Sequence, residues 1–176
     1  PAASGQPIVI PPDVKDLHHE VELAIIIGKR ARRVSEEKAI ECVRGYCLAL
    51  DMTARDVQDV AKASRLPWAR AKGYDTFAPV SPVAKTVSEF GDPSKPGRSI
   101  WLKVNGKTKQ ESSTALMLYS IPRIVAEISS CMTLEQDDLI LTGTPSGIGP
   151  VQPGDTIEAG IEGLTEMKIN VVSASP

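Results

Sequence analysis

No apolar run in this chain comes near the roughly 20 residues that a membrane-crossing helix needs, and no charged leader followed by an apolar stretch opens it. That reads as a soluble intracellular protein with no membrane partner. An excess of charge is missing too: 20 Lys and Arg stand against 22 Asp and Glu for a net charge of −2, and the basic residues are scattered. A nucleic-acid surface is therefore excluded, and the short cluster Lys29, Arg30, Arg32 and Arg33 reads as a solvated turn. Cysteine is sparse. Cys42, Cys47 and Cys131 form neither a CxxC nor a Cys/His spacing, which argues against zinc and for reduced core thiols. Internal repeats, low-complexity tracts and βαβ alternation are absent as well. An initiating Met is also missing, and prolines at 1, 7, 11 and 12 lead to the expectation that a segment precedes Pro1-Ala2-Ala3-Ser4.

What is present is organised around His18-His19-Glu20-Val21-Glu22-Leu23-Ala24-Ile25-Ile26-Ile27-Gly28. Read as one strand, this stretch puts Val21, Leu23, Ile25 and Ile27 on one face and Glu20 with Glu22 on the other. The second face turns apolar at Ala24 and Ile26, so both faces are buried at the far end. Two like charges about 6 to 7 Å apart, twice the rise per strand residue, repel where water is thin; a proton or a cation between them relieves this. An isolated Glu-x-Glu is also what the wet face of a half-buried strand looks like. A third acid, Asp51, closes the apolar run Tyr46 to Leu50, where an unpaired charge marks a site or a helix cap. Three carboxylates suit a hard ion such as Mg²⁺ or Mn²⁺.

Around these acids the spacing predicts a helix from Ser35 to Gly45, a strand from Tyr46 to Asp51, and a short polar helix over residues 53–63 on which Arg55 and Gln58 share a face. Residues 68–82, broken by Pro67, Gly73, Pro79 and Pro82, read as an irregular segment carrying Lys72-Gly73-Tyr74-Asp75-Thr76-Phe77. Asn105-Gly106 marks a hairpin, and Ser120-Ile121-Pro122 opens a helix with Ile121, Ile124, Val125, Ile128 and Met132 on one side. Leu139 to Thr142 reads as a strand running into Gly143-Thr144-Pro145-Ser146-Gly147-Ile148-Gly149-Pro150. This loop lacks the Lys-Ser/Thr of a phosphate loop; it is either a tight turn needing positive φ or a set of free amides and a Thr144 hydroxyl able to hold a carboxylate. A final hairpin turns at Glu162-Gly163. About eight strands and three helices, in a single domain over 1–176, make a β-rich α+β fold.

Four of these stretches, His18 to Leu23, Leu50 to Gln58, Lys72 to Phe77 and Leu141 to Gly149, resemble in order and spacing the fumarylacetoacetate hydrolase family, most closely its small acylpyruvase and oxaloacetate decarboxylase members. The resemblance implies a mixed β-sheet roll, a homodimer, and Mg²⁺ or Mn²⁺ held by Glu20, Glu22 and Asp51. It implies further that a small 2-oxo acid is the substrate, that Lys72 is catalytic beside it, and that Arg55, Gln58, Gly143 and Thr144 bind its polar groups. The activities implied are acylpyruvate hydrolysis and oxaloacetate decarboxylation, which share a pyruvate enolate, with isomerisation of 2-oxo-enol acids or a catalytically silent metal-binding dimer as alternatives. The hydrolytic base of such relatives is a His and Glu pair upstream of the first strand, with no counterpart in these 176 residues; His18 reads as a support for the metal-binding strand. The compartment implied is the mitochondrial matrix or cytosol in a eukaryote, or the cytoplasm in a bacterium.

Overall fold

The computed structural model describes residues 6–174, so the expectation drawn from Pro1-Ala2-Ala3-Ser4 lies outside the described residues. The chain forms β1 (Ile8–Ile10), β2 (Leu17–His19) and β3 (Val21–Ile27), the last two separated only by Glu20. The sequence pattern predicts one strand here; the structure makes two, in different sheets. The cause lies in the partner chain. β3 pairs antiparallel with β4 (Val43–Leu50), whereas β2 pairs with the two-residue β5 (Thr53–Ala54), and Asp51-Met52 between those partners steps out of the ladder at the level of Glu20. Both chains bend together, joined by the Asp51 amide donating to the Glu20 carbonyl at 2.9 Å.

β3 is buried along its whole length. Val21, Leu23, Ile25 and Ile27 enter the main core, while Ala24 and Ile26 pack with Cys47 and Ala49 in a smaller cluster behind. Fully burying a Leu or Ile side chain contributes about 1.5–3 kcal/mol, which makes this strand the natural centre of its sheet.

The helix expected from Ser35 to Gly45 shrinks to α1 (Glu36–Ala39) and a 3-10 turn, because the chain is already β4 at Val43. Gly45 ends no helix: it lies within β4, where an added Cβ would stand 2.1 Å from the Lys85 carbonyl oxygen. Downstream, α2 (Arg55–Ala63) begins two residues later than predicted. Thr53 does not cap it; its hydroxyl donates to the Asp51 carbonyl at 3.0 Å. The segment read as irregular contains α3 (Ala69–Lys72) and the start of β6 (Val80–Thr86), and α4 (Val87–Phe90) follows. Pro82 is tolerated because β6 is the edge of the order β6-β4-β3-β9.

β7 (Ser99–Val104) and β8 (Lys107–Ser113) are joined as the sequence predicts, with φ of 52° at Asn105 and 75° at Gly106, the signature of a type I′ turn. α5 (Ile121–Cys131) is capped by Ser120, whose hydroxyl accepts from the Arg123 amide, and it buries Ile121 and Val125. Two expectations fail at its end: Met132, expected on the apolar stripe, is exposed just past the last turn, and Cys131, expected in the core, is exposed, whereas Cys42 and Cys47 are buried. Arg32 is not simply solvated: it donates to the carbonyls of Ser129 and Ser130 at the end of α5, where positive charge is favoured.

β9 (Leu139–Leu141) completes the β3 sheet, β10 (Gly149–Val151) pairs with β2, and β11 (Thr156–Ile161) and β12 (Thr165–Ser173) form the final hairpin, with Ile157 opposite Ile169. β1 joins β12 in parallel, giving β1-β12-β11-β7-β8. The fold is α+β and strand-rich, as read. Twelve strands and five α-helices among the described residues exceed the eight and three expected, because elements of two to four residues carry no readable period.

Candidate metal centre

The bend at Glu20 is what gathers the acids. Glu20 sits between two sheets, Asp51 leaves β4 across from it, and Glu22 lies two residues into β3, so ligand oxygens of all three fall within 4.8 Å of one another. Glu20 and Glu22 are buried, and Asp51 is about a quarter exposed at 23%. α2 starts directly after β5 and turns Arg55 back onto Glu20, with its Nη2 at 2.5 Å from Oε1 and its Nη1 at 2.5 Å from Gln58 Oε1. One turn of α3 delivers Lys72, whose Nζ lies 3.0 Å from Glu20 Oε2 and 2.5 Å from Asp51 Oδ2. Thus Arg55 and Lys72, named from sequence, meet the acids, and Gln58 joins them through Arg55.

The carboxylates differ in environment. Burial raises the Glu20 pKa, but hydrogen bonds and charge from Lys72 and Arg55 outweigh it, holding the group below its ordinary value. Burial pushes Asp51 up, only partly offset by Lys72. Glu22 is pushed up to about 7 by burial and by the charges of Asp51 and Glu20, and among the described residues its hydrogen-bond donor is the Gly143 amide at 2.6 Å. A pair of cations therefore serves Glu20 and Asp51, while Glu22 is left short of positive charge.

That imbalance, with an all-oxygen donor set, fits a hard divalent ion of the Mg²⁺ or Mn²⁺ kind. Glu20, Glu22 and Asp51 would hold it.

Gly143 and Thr144 reach the same place from β9, though the groups they offer are already engaged with the protein. The Gly143 amide serves Glu22, and the Thr144 hydroxyl donates to the Val21 carbonyl at 2.9 Å while accepting from Gln110 Nε2 at 2.7 Å. The tight-turn reading of the loop has its counterpart in φ of 102° at Gly143 and 99° at Gly147, while the Gly143 amide, expected to be free, holds the carboxylate of Glu22. His18 lies beside Arg55, its Nδ1 accepting from Nε at 3.4 Å and its Nε2 facing Asp16. It orients the guanidinium. Sequence reasoning missed Gln110, and nothing in Lys107-Thr108-Lys109-Gln110-Glu111 singles it out. A cleft of about 510 Å³ beside the loop is lined by Leu23, Leu116, Tyr119 and Ile124, and thus lies on the face of β3 opposite Glu22.

Residues 2–172 match the model of the fumarylacetoacetate (FAA) hydrolase C-terminal family. The chain belongs to this family. Within it, the chain is 49% identical over 170 residues to oxaloacetate tautomerase FAHD1, mitochondrial, of Bos taurus, covering 97% of this chain and 76% of that protein. It is 48% identical to the mitochondrial oxaloacetate decarboxylase of Dictyostelium discoideum, covering 94% of this chain and 75% of that one. Among solved structures it superposes with a TM-score of 0.92 and 34% identity on fumarylpyruvate hydrolase from Pseudomonas aeruginosa in complex with Mn²⁺ and pyruvate, over 99% of this chain and 74% of that chain. The family membership agrees with the resemblance carried by the four motifs, and so does the mixed-sheet architecture.

Proposed function

We propose that this member of the family is a divalent-metal-dependent enzyme of small 2-oxo acids, hydrolysing acylpyruvates and decarboxylating oxaloacetate. The observation that carries this is the triad of buried Glu20 and Glu22 with half-buried Asp51, two cations at its edge, in a chain whose relative was crystallised with Mn²⁺ and pyruvate. Mg²⁺ or Mn²⁺, when bound, supplies positive charge against the negative charge that develops on the 2-oxo oxygen in both reactions.

The chain's own residues do the rest. Lys72 engages two carboxylates and keeps a third N–H, which supports its reading as a proton-bearing catalytic group beside the substrate. Arg55, braced by His18, fixes the orientation of Glu20 and turns the Gln58 carbonyl toward itself, leaving the Gln58 Nε2 to donate to a substrate oxygen. Thr144 and Gly143 form the opposite wall.

A second reading, keto–enol tautomerisation of oxaloacetate, is favoured by the name of the Bos taurus relative and by chemistry. It passes through the enolate of oxaloacetate itself, with the C4 carboxylate retained and the charge on the same 2-oxo oxygen, and needs no base to activate water. The test is to follow enol absorbance, carbon dioxide release and acetylpyruvate cleavage separately, with Mg²⁺ or Mn²⁺ and with chelator. Metal-dependent cleavage or carbon dioxide release, inhibited by oxalate as a planar enolate mimic, is expected. Enol loss without bond cleavage selects the second reading, and no turnover above metal alone overturns both.

We read the chain further as a homodimer, of the mitochondrial matrix or cytosol in a eukaryote or of the cytoplasm in a bacterium. Leu116, Leu118 and Tyr119 support the dimer by exposing 74%, 92% and 62% of their surface on one loop, and the two relatives described support the compartment by name. A monomeric mass in sedimentation, or imaging of the tagged protein in another compartment, overturns the respective reading.

A further inference from the structure

Gln110 projects from β8, in the five-stranded sheet, and is completely buried. Its amide is saturated. Oε1 lies 3.1 Å from the Val21 amide and 3.0 Å from His19 Nδ1; Nε2 lies 2.7 Å from Thr144 Oγ1 and 2.9 Å from the Pro145 carbonyl oxygen. The orientation is unambiguous, since a backbone amide can only donate and a carbonyl can only accept. His19 therefore donates from Nδ1, which leaves its Nε2 as a buried acceptor without a partner among the described residues.

The four contacts share one property. Two end on the residues immediately before and after Glu20, and two end on the loop whose Gly143 amide holds Glu22. Thr144 then closes a ring by donating to the Val21 carbonyl. The bend carrying one carboxylate and the loop holding the other are thus pinned to a single side chain from a third, distant strand, which contacts neither carboxylate.

We propose that Gln110 is a positioning residue of the metal centre, setting the placement of Glu20 relative to Glu22. The inference rests on the reading of Glu20, Glu22 and Asp51 as metal ligands. Groups that orient metal ligands from behind typically change metal affinity by about 10- to 100-fold when removed, and that is the loss expected for Gln110→Leu and Gln110→Glu. The first deletes all four contacts; the second keeps the size and the bonds to Val21 and His19 but removes the donor to Thr144 and Pro145.

The experiment is a titration with Mn²⁺, followed by the paramagnetic signal of the free ion, well below each variant's unfolding midpoint. A merely structural glutamine lowers the midpoint and leaves the Mn²⁺ affinity of the folded protein alone. Failure of the parent protein to bind Mn²⁺ sinks the metal reading itself. With the parent binding, a loss smaller than about fivefold in the folded variants overturns the proposal, being well short of what ligand-orienting groups deliver. Should neither Gln110 variant fold, Thr144→Val decides by the same threshold, because it cuts the ring at a half-buried hydroxyl.

Discussion

Replacing Glu22 by Gln makes the metal-free protein more stable and blind to metal, and the size of the first effect follows from its burial. Glu22 is only 3% exposed, and its pKa stands at about 7 against an ordinary 4.5. Below pH 4.5 the carboxyl is protonated in folded and unfolded chains alike, and the rise costs nothing. Between 4.5 and 7 the unfolded chain gives up the proton while the folded chain keeps it, so stability falls as pH climbs and the full loss is present above 7. At about 1.4 kcal/mol for each tenfold change in proton affinity, that loss is about 3 kcal/mol. Glu22→Gln removes the titration and can still accept from the Gly143 amide. In chelator it is expected to match the parent near pH 4 and exceed it by about 2–4 kcal/mol at pH 9. With Mn²⁺ at about a hundred times its dissociation constant the parent recovers about 2.7 kcal/mol and the variant gains nothing. Urea unfolding at both pH values, with EDTA and with Mn²⁺, measures all four quantities. A variant no more stable than the parent at pH 9 in EDTA, or one that Mn²⁺ stabilises as much as the parent, refutes the reasoning.

Lys72→Met is expected to separate binding from turnover: Mn²⁺ affinity rises by about tenfold, because the ion no longer competes with an ammonium for Glu20 and Asp51, while turnover falls about 10²- to 10⁴-fold. Calorimetry and steady-state rates test this, and a fall in both together refutes it. Gly45→Ala drives a Cβ into the Lys85 carbonyl and is expected to cost about 1–3 kcal/mol in urea unfolding, with equal stability as the refuting result.

The sequence by itself determined the features that depend on neighbours along the chain. The apolar alternation of Val21 to Ile27 specifies a strand buried on both faces, Asn105-Gly106 specifies its turn through two positive φ values, and Ser120 with Pro122 starts α5. The order of the acids, Lys72 and the glycine loop is legible for the same reason. Only the tertiary structure decided how those residues meet. Glu20 stands between two sheets, with Glu22 inside one of them, because the partner chain bends at Asp51-Met52, not because of any period in their own stretch. The extent of β4 depends on Gly45 passing a carbonyl from β6, which no helix or strand propensity records. The donor to Glu22 comes from Gly143, and the amide that ties the bend together comes from Gln110, 91 residues beyond His19. A buried polar side chain earns its place from partners far along the chain, so its role is invisible until the sheets are assembled.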